Sequence, residues 1–291
     1  MLKSSTQVDR RWMRINADDF GFSTGVNQAI ITAHQQGVLT STSIMVTGDA
    51  ADEAIELAKA NPSLAVGLHL VVGMGRSALP PEQIPHLVDA EGNFPDDPAW
   101  AGLRYQFSAK ARQELPLEIR AQLEKFRRTG LKLSHVDGHL HLHAHPVILR
   151  HLVDLAKEFE IPEIRLPSEE LSIALEIDRS GWIAKTVGSL VFSGLRRYGE
   201  NLLKKHRIQF ADRVYGLLQT GQITESYLLE LIPKITANRV EIYSHPAITV
   251  PGEPSNAPLN LGFVELEALL SDRVRAALEA YGFELAVGSN P

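Results

Sequence analysis

The chain contains no cysteine among its 291 residues. That excludes disulfides and thiolate metal sites, and any metal would rest on His, Asp or Glu. It also fits a cytoplasmic location, where thiols are kept reduced and disulfides are rare. There is no apolar run of about 18 residues, so no segment reads as membrane-spanning. Residues 1–11 are polar with no apolar leader core and read as a flexible N-terminal arm. A basic excess is missing too: the net charge of -6 argues against nucleic acid as a partner. Internal repeats and low-complexity tracts are absent. What remains is an ordinary globular composition, 44% hydrophobic and 22% charged, with enough apolar residues for a sizeable core.

Short apolar runs alternate with helical patterns. Strands are expected at Trp12–Asn16, Thr42–Val46, Leu64–Leu70, Lys132–Asp137, Glu163–Leu166 and Val240–Ser244, with Phe283–Val287 able to supply one more. The first helix carries Val26, Ala29, Ile30 and Ala33 on one face, with Thr24 near its start and Gly37 just past its end. Another is expected over Pro116–Thr129, and a third from Pro146 to about Phe159. Repeated strand-helix units imply a parallel sheet, closed as a barrel or open and doubly wound. In both, chemistry collects at the C-terminal ends of the strands. Two stretches interrupt the alternation: residues 71–109, rich in Pro, Gly and Asp, read as a wall or lid, and residues 168–207 read as a helical insertion. Residues 12–291 are otherwise expected to form one domain.

The densest chemistry lies in His135-Val-Asp137-Gly-His139-Leu-His141-Leu-His143-Ala-His145-Pro146. Five of the 11 histidines fall in these positions, and chance clustering at a strand end explains that poorly beside a metal or catalytic site. A catalytic zinc-like centre takes about three protein ligands and keeps one open position. His139 stands first as a ligand and His143 second. His135 and His141 fit an outer layer, and Asp137 can accept the second N–H of a ligating imidazole.

Asn16-Ala-Asp18-Asp19-Phe20-Gly21 sets two carboxylates side by side at a strand end. One reading makes one Asp a metal ligand and the other a general base, brought together by a turn at Gly21. The plainer reading is a cap for the helix after Ser23. His69 ends the strand in Gly67-Leu68-His69-Leu70, where a lone histidine is more often structural than a ligand. Tyr243-Ser244-His245-Pro246 repeats the pattern late in the chain. Arg165, before Leu166 and Pro167, can orient a carboxylate through a bidentate pair.

Taken in order, these pieces resemble the YdjC-like carbohydrate deacetylases, relatives of the polysaccharide deacetylase group. The resemblance rests on the Asp18-Asp19 segment with Gly25-Val26-Asn27 beyond it, on Gly67-Leu68-His69-Leu70, on His135-Val-Asp137-Gly-His139, on Arg165-Leu-Pro167 and on Ser244-His245-Pro246-Ala247. It implies a distorted (β/α) barrel in which Asp19, His69 and His139 bind one divalent metal; two histidines and one carboxylate favour zinc or another borderline ion over calcium, and zinc ahead of magnesium. It further implies Asp18 as base, His245 as acid and Arg165 as the holder of Asp18. Many relatives carry further histidines where this chain has Leu140 and Leu142, which leaves the roles of His135, His141 and His143 open.

The implied reaction is removal of an N-acetyl group from an amino sugar, N-acetylglucosamine in a glycoconjugate. Residues 210–221, Phe210-Ala-Asp212-Arg213-Val-Tyr215-Gly216 and onward, resemble a subgroup associated with hopanoid biosynthesis, which implies a hopanoid-linked sugar. Apolar residues from Trp182 onward, with Lys185, Arg196, Arg197, Lys204, Lys205 and Arg207 among and beyond them, suit peripheral contact of residues 182–207 with the inner membrane face. The plainer reading packs that helix on the barrel with a solvated basic end. Competing functions are a metal-dependent phosphoesterase or amidohydrolase, and a non-catalytic sugar- or lipid-binding relative.

Overall fold

A computed structural model describes residues 11–254 and 261–286. Among these residues seven strands form one sheet: β1 (Arg11–Phe20), β2 (Ser41–Ile44), β3 (Ala65–Leu70), β4 (Leu133–Gly138), β5 (Arg213–Tyr215), β6 (Arg239–Ser244) and β7 (Phe283–Leu285). The order is β4-β3-β2-β1-β6-β5, every pairing is parallel, and β7 pairs with β1 off that path. Because β6 pairs with β1 from Trp12 to Ala17, β7 and β2 share the other edge of β1. Strands covered on both faces read as near-continuous apolar runs, and all six residues of β3 are buried.

Among the described residues ten α-helices cover the sheet: α1 (Thr24–Gln36), α2 (Ala51–Ala60), α3 (Pro98–Phe107), α4 (Ala109–Arg128), α5 (Pro146–Leu155), α6 (Leu171–Ile177), α7 (Trp182–His206), α8 (Glu225–Leu231), α9 (Gly262–Leu270) and α10 (Asp272–Ala280). Helix α1 has the expected bounds. The Ser23 hydroxyl accepts from Val26 N–H, and the chain leaves the helix at Gly37.

The sheet curls into a distorted barrel whose last gap is bridged by an irregular segment. Glu163 and Arg165 bond Val136 of β4 on one side. On the other side Ile164 N–H donates to Gln209 and Gln209 N–H to Pro162. The strand expected at Glu163–Leu166 is therefore reduced to isolated bridges. Pro162 and Pro167 flank it, and neither has an N–H to extend a ladder.

Four other expectations need correction. Helix α4 begins seven residues before Pro116, which lies inside it; Ser108 caps the true start by accepting from Ala111 N–H. Its other residues are mostly strong helix formers, and they outweigh one lost backbone bond. Helix α5 starts at Pro146 as expected and ends at Leu155, before Phe159. The stretch 71–109 is not all loop, because Asp97 and Pro98 start α3 with the Asp97 carboxylate accepting from Ala99 and Trp100. Its opening turn is pinned by Gln122, which exchanges two hydrogen bonds with the Val71 backbone, while Glu118 accepts from Ala78 and Leu79. Arg11, placed with the arm, is the first residue of β1 and bonds Tyr281 and Ile235 carbonyls. Residues 1–10 and Val287 lie outside the described residues.

Candidate active site

The site lies where β1, β3, β4 and β6 end. Residues Ala17 and Phe20 of β1 pair with Thr42 and Ile44, so β1 carries one residue more than its partner. Such a bulge bends the strand and re-aims its side chains. Asp19 takes the left-handed conformation (φ 67), which Asp tolerates better than most residues. Adjacent carboxylates that a regular strand would point apart are thus both buried at the same strand end. The backbone change falls at Asp19 itself as well as at Gly21, where the sequence suggested Gly21 alone.

Asp18 is gripped. Arg165 Nη1 donates to its Oδ2 at 2.7 Å and Nη2 to its Oδ1 at 2.8 Å, a bidentate fork. Asn16 Nδ2 adds a third bond at 2.8 Å, and Asn16 is in turn held by Ser41. Arg165 holds two more carboxylates, Asp137 through Nη2 at 2.7 Å and Glu241 through Nε at 2.6 Å. Burial, the largest single influence, opposes ionisation of Asp18, but the charge and hydrogen bonds of Arg165 together with His69 hold the carboxyl below its ordinary range. Burial likewise opposes the Arg165 charge, yet Asp137, Asp18 and Glu241 together hold the guanidinium firmly protonated. Farther from the strand ends, Arg14 pairs with Glu163 at 2.7 Å and approaches Glu241 to 3.8 Å, continuing the network.

Asp19 collects the histidines. His69 Nε2 lies 3.0 Å and His139 Nδ1 3.1 Å from Asp19 Oδ1. The other nitrogen of His69 is fixed by Asp137 Oδ1 at 2.7 Å, with Ser43 Oγ at 3.2 Å. That is the carboxylate-imidazole support a metal ligand commonly has. Burial alone would lower the His69 pKa, but Asp137 and then Asp19 raise it to about 10. Within β3, Gly67 is needed as well as His69: a Cβ there would sit 2.5 Å from the His135 ring.

Two groups of described residues bring metal-ligating atoms within 4.8 Å of one another, Asp19-His69-His139 and Asp18-His69-Asp137. The second shares the Arg165 guanidinium, whose charge would repel a cation. The first offers two imidazole nitrogens and a carboxylate oxygen converging on one point, a donor set that suits zinc and other borderline divalent ions.

The outer histidines divide differently. Beyond Gly138 the chain tightens into a turn over His139–Ala144, with Leu140 and His141 both left-handed. His143, second as a ligand from the sequence, instead donates through Nε2 to the Arg165 carbonyl at 3.0 Å. Burial lowers its pKa to about 4, so it stays neutral. His141 Nε2 meets the Tyr243 hydroxyl at 2.8 Å. His135 is buried beside Ser134, and His145 caps α5 by accepting from Val147 N–H. At the neighbouring strand end, Ala17 is in register with Ser244, so Asp18 and His245 leave adjacent strands side by side. The backbone N–H of His245 donates to Glu265 Oε2 at 2.5 Å, and Glu265 also accepts from the Ile223 backbone N–H.

Sequence reading missed Glu241, Glu265 and Tyr243. Glu241 had a signal, a charged residue within an apolar strand. Glu265 had none, because it reaches the site from α9, far along the chain.

The sequence profile of the YdjC-like protein family matches residues 13–280. A carbohydrate deacetylase of Brevibacillus brevis is 44% identical over 153 residues, which are 53% of this chain and 58% of that protein. The alignment thus spans less than two thirds of that relative's length. A carbohydrate deacetylase of Thermoanaerobacter pseudethanolicus is 25% identical over 237 residues, 81% of each chain. Among solved structures, a protein of Enterococcus faecalis named for cellobiose-phosphate cleavage superposes with a TM-score of 0.73 at 27% identity. It covers 95% of this chain and 97% of its own. With its profile matched over nearly the whole chain and its polar cluster gathered at the barrel's strand ends, this chain belongs to the family of YdjC-like proteins.

Proposed function

We propose that this chain is a metal-dependent carbohydrate N-deacetylase that hydrolyses the N-acetyl group of an amino sugar. One observation carries the reading: a nitrogen of His69 and one of His139 lie within 3.1 Å of the Asp19 Oδ1, beside a second carboxylate, Asp18, locked by Arg165. A divalent cation held by Asp19, His69 and His139, zinc rather than magnesium, would supply Lewis acidity toward the amide carbonyl and a water.

The remaining work falls to the chain. Asp18 removes a proton from the attacking water. Arg165 keeps that carboxylate ionised and aimed, which makes it a weak base in a fixed place and leaves acidification of the water to the site. His245, on the adjacent strand end, gives a proton to the departing nitrogen, so acetate and a free amine leave. Without that proton the tetrahedral adduct reverts to amide. The left-handed turn at Leu140 and His141 walls the site with Tyr243 and Phe192 against His141.

For the substrate we favour N-acetylglucosamine in a glycoconjugate, joined to a hopanoid lipid. The support is the 210–221 segment, whose Thr220 hydroxyl meets the Tyr243 hydroxyl at 3.1 Å. A cytoplasmic chain in peripheral contact with the inner membrane face through residues 182–207 accords with such a substrate.

The test is acetate release from soluble and lipid-linked N-acetylglucosamine conjugates by metal-stripped protein refilled with zinc or magnesium. Asp18→Asn is expected to keep its metal and lose turnover by about 10²-fold or more, as removal of a general base does. Loss of metal in that variant would make Asp18 a ligand. No release from any conjugate by metal-loaded protein would turn the assignment to a phosphoester, another amide, or a binding role.

A further inference from the structure

Helix α7 is built inside out along its first half. From Trp182 to Leu195 no residue is buried. Ile183, Val187, Leu190 and Val191 share one helical face at 3.6 residues per turn, and that face points to solvent, with exposures of 62%, 56%, 70% and 55%. Trp182 at the tip is 58% exposed. The inward face carries Lys185, Gly188 and Phe192, spaced three and four apart. Lys185 Nζ reaches Asp178 at 2.7 Å and Gln219 at 3.0 Å, Gly188 lies against Leu218, and the Phe192 ring packs on His141 at 5.8 Å. Only the second half is packed conventionally, through Arg196, Gly199 and Leu203.

An amphipathic helix normally buries its apolar stripe, so an exposed one marks a surface that something else covers. A second apolar stripe supports this. Trp100, Leu103 and Phe107 of α3 are exposed, and α3 and α7 both pack against the His139–Ala144 turn of the site. Of the six basic residues expected to meet lipid, Lys185 is turned inward, Arg196 is buried against Glu200 and the Leu166 carbonyl, and Lys204 pairs with Glu200. Lys185 is the only charged residue from Trp182 to Leu195.

We propose that the outward face of α7 from Trp182 to Val191 rests in the apolar interface of a lipid bilayer, held by insertion of side chains rather than by charge. The helix lies on the surface, since no helix among the described residues is long and apolar enough to cross a membrane. A single helix face is smaller than the roughly 800 Å² per partner that a stable dimer buries, whereas an apolar helix face is the kind of surface that lies in the headgroup and acyl boundary of a bilayer. The surface stands on the geometry of the helix, and its purpose rests on the lipid-linked substrate proposed for the site.

The experiment is flotation of the full chain with vesicles of phosphatidylcholine alone and with added anionic lipid, at low salt and at about 0.5 M salt, where surface charges are screened. The expected result is flotation on uncharged vesicles that survives salt, a blue shift of tryptophan fluorescence lost in Trp182→Phe, and at least a tenfold lower bound fraction for Val187→Glu with Leu190→Glu. That double variant is expected to keep its circular dichroism spectrum and its acetate release from a soluble conjugate. Flotation only on anionic vesicles and abolished by salt would overturn the proposal in favour of the basic end. Self-association lost in the double variant, without flotation, would overturn it in favour of a second copy. Vesicle binding by a chain that releases no acetate supports the surface and overturns the reaction; acetate release without vesicle binding does the reverse.

Discussion

At the scale of single residues, Arg165 divides its donors among Asp18, Asp137 and Glu241, and so ties β1, β4 and β6 together at the site. A buried guanidinium is tolerable only when its donors are matched this fully. The same crowding explains Gly67. A methyl added there would meet the His135 ring at 2.5 Å, and His135 sits two residues from Asp137, the carboxylate that fixes His69. Gly67→Ala is expected to destabilise the fold by about 1–3 kcal/mol, as overpacking does. An unchanged urea midpoint would mean that the ring yields freely. Asp19, His69 and His139 could be picked out as candidates because each is a ligand type at an expected strand end. Glu265 could not, because only folding brings α9 beneath His245.

Between elements, a half-buried carboxylate does different work. Glu169 follows the irregular segment after Arg165 and accepts from Leu218 N–H at 2.9 Å and from the Tyr227 hydroxyl of α8 at 3.2 Å. Burial, partly opposed by these bonds, lifts its carboxyl from 4.5 to about 7. A folded pKa above the unfolded one means that the folded state holds the proton longer. Its contribution to stability is therefore full below about 4.5 and is lost as pH rises toward 7. Glu169→Gln keeps the acceptor and removes the ionisation. It is expected to stabilise the fold at pH 8 by about 2 kcal/mol, below the full linkage value because the side chain keeps some solvent access, and to change little at pH 4. Thermal melts of the two proteins at both pH values would show it; equal shifts at the two values would sink the idea. Helix α1 was readable to the residue because its cap and its terminal glycine are local signals. Helix α4 was not, since Pro116 mimics a helix start and Ser108, the true cap, carries no mark that sets it apart from other serines.

Across the whole molecule, the proposed ligands come from β1, from β3 and from the turn after β4, so a bound cation would cross-link the barrel over a wide span of sequence. A ligand that binds only the folded chain stabilises it by mass action, about 2.7 kcal/mol at a hundredfold excess over Kd. Zinc is expected to raise the melting temperature of the stripped protein, and Asp19→Asn to abolish that rise. Identical melting with and without zinc in the unaltered chain would remove the metal site. The proposed bilayer contact belongs to this scale as well. Residues 182–195 read as an apolar segment in any context, and only the placement of Lys185, Gly188 and Phe192 against the body tells which face is left outside.

The sequence by itself determined the strand-helix alternation, the single parallel sheet and the residue types able to do hydrolytic chemistry, because periodicity, caps and ligand types are local properties of the chain. Tertiary structure alone decided how these combine. It chose a curled barrel with an irregular closing segment and sent His143 to a backbone carbonyl instead of the site centre. It gathered three carboxylates on one arginine and turned the apolar face of α7 outward. Each of these depends on distances between residues far apart in sequence, and on burial that makes an unpaired charge or an overfilled cavity too costly to keep.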